Sequence, residues 1–185
     1  MTTNAPIEIP LSKSKIIKGL LGSTAFVAIG LWLLIRQPHI GNPVFDNALV
    51  KYGASIASII FFGFAAFFFL KKLGDKKPGM IINNDGLYDN SSAAAIGLIP
   101  WDDIIGVSVS SVMNQQFLII CLKNPEQYIA AQTNLIKKKS FGFNYKNYGS
   151  PIAISANTLQ CNLYELKAQI EDKIAKQKSG EVSAE

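Results

Sequence analysis

One histidine, two cysteines and a charged fraction of only 17% leave this 185-residue chain short of the groups that most enzyme chemistry needs. His39 stands alone, so neither a histidine metal site nor a partnered general base is on offer. Cys121 and Cys161 each sit in an apolar pattern without paired spacing, which argues against a disulfide framework or a thiolate metal site and reads as two buried thiols. There is no Gly-rich phosphate loop with its lysine and no Gly-x-Ser-x-Gly elbow. Asp102 and Asp103 are adjacent, so in an extended chain they point to opposite faces and do not form an acid/base pair. From these absences the expectation is no catalysis, no cofactor and no metal.

Basic excess is also scarce where a nucleic-acid surface would need it. The net charge is +5, but nine Lys or Arg against three acids precede Pro78 and nine against ten follow it. The excess therefore belongs to the N-terminal part, and nucleic acid is not expected as a partner.

What the chain does have is two uncharged apolar runs, Gly19 to Ile35 and Tyr52 to Leu70, unmatched later in the sequence. At about 1.5 Å per residue these approach the roughly 30 Å of a bilayer's hydrocarbon, and Lys18 can snorkel to the interface. Lys13, Lys15 and Lys18 resemble the start of a signal peptide, but the run is too long and ends in Ile35-Arg36-Gln37-Pro38 without small cleavage-site residues. A retained membrane hairpin is the expectation. Neither span carries an ionisable residue of the kind that marks a transport route. Lysines 13, 15 and 18 precede the first span and lysines 71, 72, 76 and 77 follow the second, whereas the loop holds only Arg36 and Lys51, so both termini are expected in the cytoplasm. Trp32 and Tyr52 suit interfacial anchors. Gly53 with Ala57 and Ala54 with Ser58 are spaced for close helix approach, either to the first span near Gly19 and Ser23 or to a second copy, which leaves homo-oligomerisation open.

About 100 residues follow Pro78, enough for one compact domain. Met80-Ile81-Ile82 and Leu87-Tyr88 flank Asn83-Asn84-Asp85-Gly86, a hairpin signal that makes Asp85 a turn residue. Ala95 to Ile99 reads as a strand, Ile105 to Ser111 alternates as a half-buried strand, and the continuous run Phe117 to Leu122 fits a more central one. Glu126 to Lys139 predicts a weak helix ending in three lysines, and Ile152 to Ser155 a last short strand. Leu159, Leu163, Leu166, Ile170 and Ile174 recur at three and four, an amphipathic helix whose start is Asn162, with Glu165 three later, or else Asn157 or Thr158.

Short strands closed by one amphipathic helix, with Ile99-Pro100-Trp101-Asp102-Asp103-Ile104 leading into an alternating strand, resemble bacterial PH-like domains. With Ile7-Glu8-Ile9-Pro10-Leu11-Ser12-Lys13, the hairpin and Asn147-Tyr148-Gly149-Ser150-Pro151-Ile152, the chain resembles an uncharacterised bacterial family joining two membrane helices to such a domain. The resemblance implies an α+β fold: two transmembrane helices, then a PH-like antiparallel β-sheet or barrel with a C-terminal helix. The expected layout is a cytoplasmic segment 1–15, spans 16–36 and 52–72 around an outer loop 37–51, a linker 73–78, the domain 79–178 and a mobile tail 179–185. It also implies a bacterial inner-membrane address, but no reaction and no site residues.

One cluster invites a binding role. Lys137, Lys138 and Lys139 precede Phe141, Phe143 and Tyr145, a basic-aromatic pattern suited either to anionic lipid or to a solvated helix end followed by sheet-covering aromatics. Trp101 is expected in the core or at a strand edge. The resulting expectation is a non-catalytic scaffold or sensor at the lipid bilayer that binds a protein partner or the anionic surface, with an accessory subunit of a membrane enzyme or transporter as the alternative.

Overall fold

A computed structural model describes residues 5–39, 41–92, 94–112, 115–155 and 158–182. Its contacts divide the chain into Lys13–Lys76 and a second unit built from Met1–Ser12 together with Lys77–Glu185.

The first unit is a pair of helices, α1 (Lys13–Arg36) and α2 (Ala48–Leu73), both long and apolar enough to cross a membrane. Their large side chains mostly face outward, Leu21, Phe26, Phe61, Phe64 and Phe67 among them. That arrangement is unfavourable in water and favourable in lipid. Close approach centres on Gly30, where an added Cβ would lie 3.3 Å from the Ser55 carbonyl oxygen and 3.0 Å from Ile59. Phe26 stacks on Phe62 at 4.2 Å, and the Phe69 ring covers Gly19. Gly53, read from the sequence as a packing position, has open space where a side chain would project. Ser58, read from the sequence together with Ala54, does lie at this seam: a Cβ at Gly30 would stand 3.4 Å from its Cβ, and its hydroxyl donates to the Phe26 carbonyl. In the connection, Asp46 accepts from the Gly41 amide and pairs with both Lys51 and His39, while Lys51 also donates to the Pro38 carbonyl. His39 is thus a loop-closing partner.

The second unit begins before the helices. Residues Ile7–Ile9, for which no strand is expected from the sequence, form strand β1, which pairs antiparallel with β2 (Met80–Ile82) in the register Ile7 with Ile82 and Ile9 with Met80. The pairing continues past the strand: Ser12 donates to the Thr158 carbonyl, Gln160 donates to that of Pro10, and Leu11 bridges Leu159. The alternation in Ile7-Glu8-Ile9 is too short to announce a strand, and its partner β2 lies beyond both helices in the chain. Strands β3 (Gly86–Asp89) and β4 (Gly97–Pro100) complete a four-stranded antiparallel sheet in the order β1-β2-β3-β4. The β2-β3 turn is closed by the Asn83 carboxamide, which accepts from the Asp85 and Gly86 amides. Gly86 is required there, since a Cβ would stand 2.1 Å from the Ile99 carbonyl oxygen.

After a single turn at Trp101–Asp103, strands β5 (Ile104–Val112), β6 (Gln115–Leu122) and β7 (Ile152–Ser155) form a second antiparallel sheet with β6 in the middle. The expected centrality of Phe117 to Leu122 therefore holds. Leu118, Ile120 and Leu122 enter the main core with Met80, Ile82, Leu87 and Ile99. Ile119 is also buried, on the opposite face, so β6 is covered on both sides and reads as one apolar run. The last helix, α5 (Leu163–Val182), buries Leu163, Leu166, Ile170 and Ile174 as the stripe predicts, and the Asn162 side chain caps it through the Tyr164 amide. Asn157 lies outside the described residues. The helix continues through Val182, where a mobile tail was expected from 179, and 183–185 lie outside the described residues.

The single weak helix expected over 126–139 is instead two, α3 (Pro125–Ala130) and α4 (Leu135–Tyr148). The break falls at Ala131–Asn134 because Asn134 acts as an N-cap, accepting from the Ile136 and Lys137 amides. Helix α4 absorbs the Gly- and Asn-rich aromatic segment and ends at Gly149, whose φ of 73° is the left-handed conformation that glycine adopts without strain. The lysines thereby stand at the start of a helix, not at its end.

Candidate functional site

Helix α4 is held by its inner face. Phe141 is 2% exposed, Tyr148 stacks on Phe117 at 6.4 Å, and Asn144 donates to the Pro151 carbonyl. Phe117 shares a face of β6 with Ile119 by the two-residue alternation of a strand, so α4 lies over the side of that sheet turned away from the main core. Ser150, buried just past the helix, donates to the Ile120 carbonyl. Lys137 belongs to this inner face as well: its ammonium donates to the Ala95 carbonyl at 2.6 Å and stands 5.6 Å from the centre of the Phe141 ring.

The expected cluster is therefore divided. Lys137 and Phe141 serve the fold, Tyr145 is half-buried, and Lys138, Lys139 and Phe143 face solvent. Beside them stand two residues the sequence reading did not single out, Leu135 and Ile136, exposed at 74% and 78%, with Phe143 at 65%. At 100° per residue, Leu135, Ile136, Lys139, Phe143 and Lys146 fall on one side of the helix. The local signal for this is Leu135-Ile136 beside the lysines, two residues that a single helix over 126–139 takes up as part of its apolar pattern.

Other expected positions have structural employment. Trp101 is buried and donates its indole N–H to the Asn83 carbonyl at 2.9 Å, joining the first turn to the second sheet. Asp103 accepts from the Tyr128 hydroxyl at 2.5 Å, while Asp102 is exposed. Burial, reinforced by the Asp103 hydrogen bond and charge, pushes the Tyr128 phenol well above its ordinary value. Asp89, which the sequence reading passed over, is a buried carboxylate that accepts from the amide and hydroxyl of Ser91 and from the Ile96 amide, shaping the loop between β3 and β4. Cys121 and Cys161 are half-buried thiols, not fully buried ones. Within the helical pair a cavity of about 90 Å³ is lined by Leu33, Phe45, Val50 and Ala54 beside the unpartnered Ser55 hydroxyl. Among the described residues no group of three His, Cys, Asp or Glu side chains is placed to hold a metal ion.

Comparison with known proteins finds no matching protein family, no matching curated protein and no matching solved structure.

Proposed function

We propose that this chain is an integral protein of a bacterial inner membrane, in which the α1–α2 hairpin fixes a PH-like, non-catalytic domain at the cytoplasmic surface as a scaffold or sensor toward a protein partner or the anionic membrane face. The observation that carries the reading is the pairing of β1 with β2. These strands flank the hairpin in sequence, so their pairing supports two spans, which return the chain to the side it left, over a single one. The lysines at 13, 15 and 18 and at 71, 72, 76 and 77 lie on that same side and favour the cytoplasm. The PH-like part of the reading is supported by seven antiparallel strands in sheets of four and three, followed by a helix that packs against the second sheet. A sensing role is supported by connectivity, since the hairpin is inserted between the paired strands β1 and β2.

The test is a reporter fused after Glu185. A fluorescent protein there is expected to fluoresce and alkaline phosphatase there to stay inactive, and an active phosphatase fusion would overturn the assignment.

A further inference from the structure

We infer that the outward face of α4 rests on an anionic phospholipid bilayer, with Leu135, Ile136 and Phe143 entering the headgroup boundary, Lys139 and Lys146 on that face meeting lipid phosphates, and the long, exposed Lys138 side chain reaching them from the flank of the helix. The inference rests on the reading of 13–76 as a membrane hairpin, and three observations lead from that reading to lipid.

The first is that three large apolar side chains stand in solvent on one side of a helix whose other side is fully engaged. A monomeric domain gains nothing by displaying them, and an amphipathic surface helix displays this pattern. The second is charge. Helix α4 holds four of the nine cations that follow Pro78 and none of the ten acids, so the remainder of that part has five cations against ten acids. Three of those lysines crowd the start of the helix, with no acid in its first turn, where the helix dipole opposes them. Helix stability does not account for cations in that place, whereas an anionic surface does. The third is the tether. Only six residues, Gly74 to Gly79, separate α2 from β2, a reach of roughly 20 Å when extended. A bilayer held that near needs only the modest attraction that three exposed lysines and three apolar side chains supply.

The experiment uses the full-length chain in lipid nanodiscs, with Cys121 and Cys161 replaced by Ala and a nitroxide attached at Ile136→Cys. Oxygen, which concentrates in the bilayer, and a nickel chelate, which stays in water, report the depth of the label. In discs containing about one third anionic lipid the label is expected to be oxygen-accessible and shielded from nickel. In neutral discs, in high salt, or with Lys138, Lys139 and Lys146 replaced by Gln, it is expected to return to water, the three charges together lowering the docked-to-free ratio by roughly a hundredfold. Circular dichroism of the Gln variant is expected to match the parent, since these side chains are exposed and no ion pair among the described residues involves them. A second label at Gly63→Cys in α2, where nothing lies within 4 Å, reports the hairpin independently. A bilayer-deep label at 63 with a water-exposed label at 136 in every lipid overturns the inference alone and leaves this face to a protein partner. A water-exposed label at 63 overturns the hairpin reading itself.

Discussion

Adjacent side chains have opposite duties here, and burial decides which. Leu166 is buried beneath the second sheet, whereas its neighbour Lys167 reaches Glu171 on the surface at 2.6 Å. Leu166→Ala is expected to cost about 2 to 5 kcal/mol by opening a cavity, and Lys167→Ala to cost under about 1 kcal/mol, as exposed pairs do. Thermal unfolding of the full-length protein followed by circular dichroism checks both, and equal small shifts would show that the stripe is not buried. The Tyr128 hydroxyl makes a different kind of prediction. Its folded form holds the proton more tightly than the unfolded chain, so its contribution is fully present below the ordinary tyrosine value near 10 and is lost as pH rises above it. Stability measured against pH is therefore expected to fall on the alkaline side, and Tyr128→Phe to flatten that fall while lowering stability at neutral pH by about 1 kcal/mol through the lost hydrogen bond. An unchanged alkaline slope in the variant would remove Tyr128 as its cause.

Among the elements, β1 is the one whose loss the sequence least prepares for. It supplies Ile9 to the main core, and Leu11 fills the space beside Gly79 and Leu159. A fragment starting at Gly79 is therefore expected to expose the β2 edge and to self-associate, because an uncovered edge strand is a template for further pairing. Joining residues 1–12 to 77–185 through a short flexible linker is expected to restore a monomeric, cooperatively melting domain. Size-exclusion chromatography and circular dichroism of the two fragments decide the matter, and a monomeric, folded fragment from Gly79 would show β1 to be dispensable. The split of the expected 126–139 helix into α3 and α4 has a similar cause. Local propensity supports helix on both sides of Gln132-Thr133-Asn134, but the Asn134 side chain captures two amides and starts a new helix there.

At the scale of the whole chain, the hairpin interrupts a sheet, and this makes the two units interdependent in assembly. Strand β1 has no partner until β2, which follows both helices along the chain, has been made. The same pairing brings the two flanks of the hairpin, Ile7–Ile9 and Met80–Ile82, together in one sheet.

The sequence alone determined what depends on local pattern. The two apolar helices, the turn at Asn83 to Gly86, the central apolar strand and the stripe of α5 were legible because hydrophobic period, turn chemistry and run length act within a few residues. Tertiary structure alone decided the pairing of β1 with β2, the seam at Gly30 and the division of the basic-aromatic cluster. Each depends on a partner far along the chain. Lys137 turns inward because the Ala95 carbonyl awaits it, and Leu135 and Ile136 are left outside because Phe117 and the sheet claim the opposite face of their helix. A pattern of apolar and basic residues states which side chains seek cover, but only the packed sheet establishes which of them receive it and which remain for another surface.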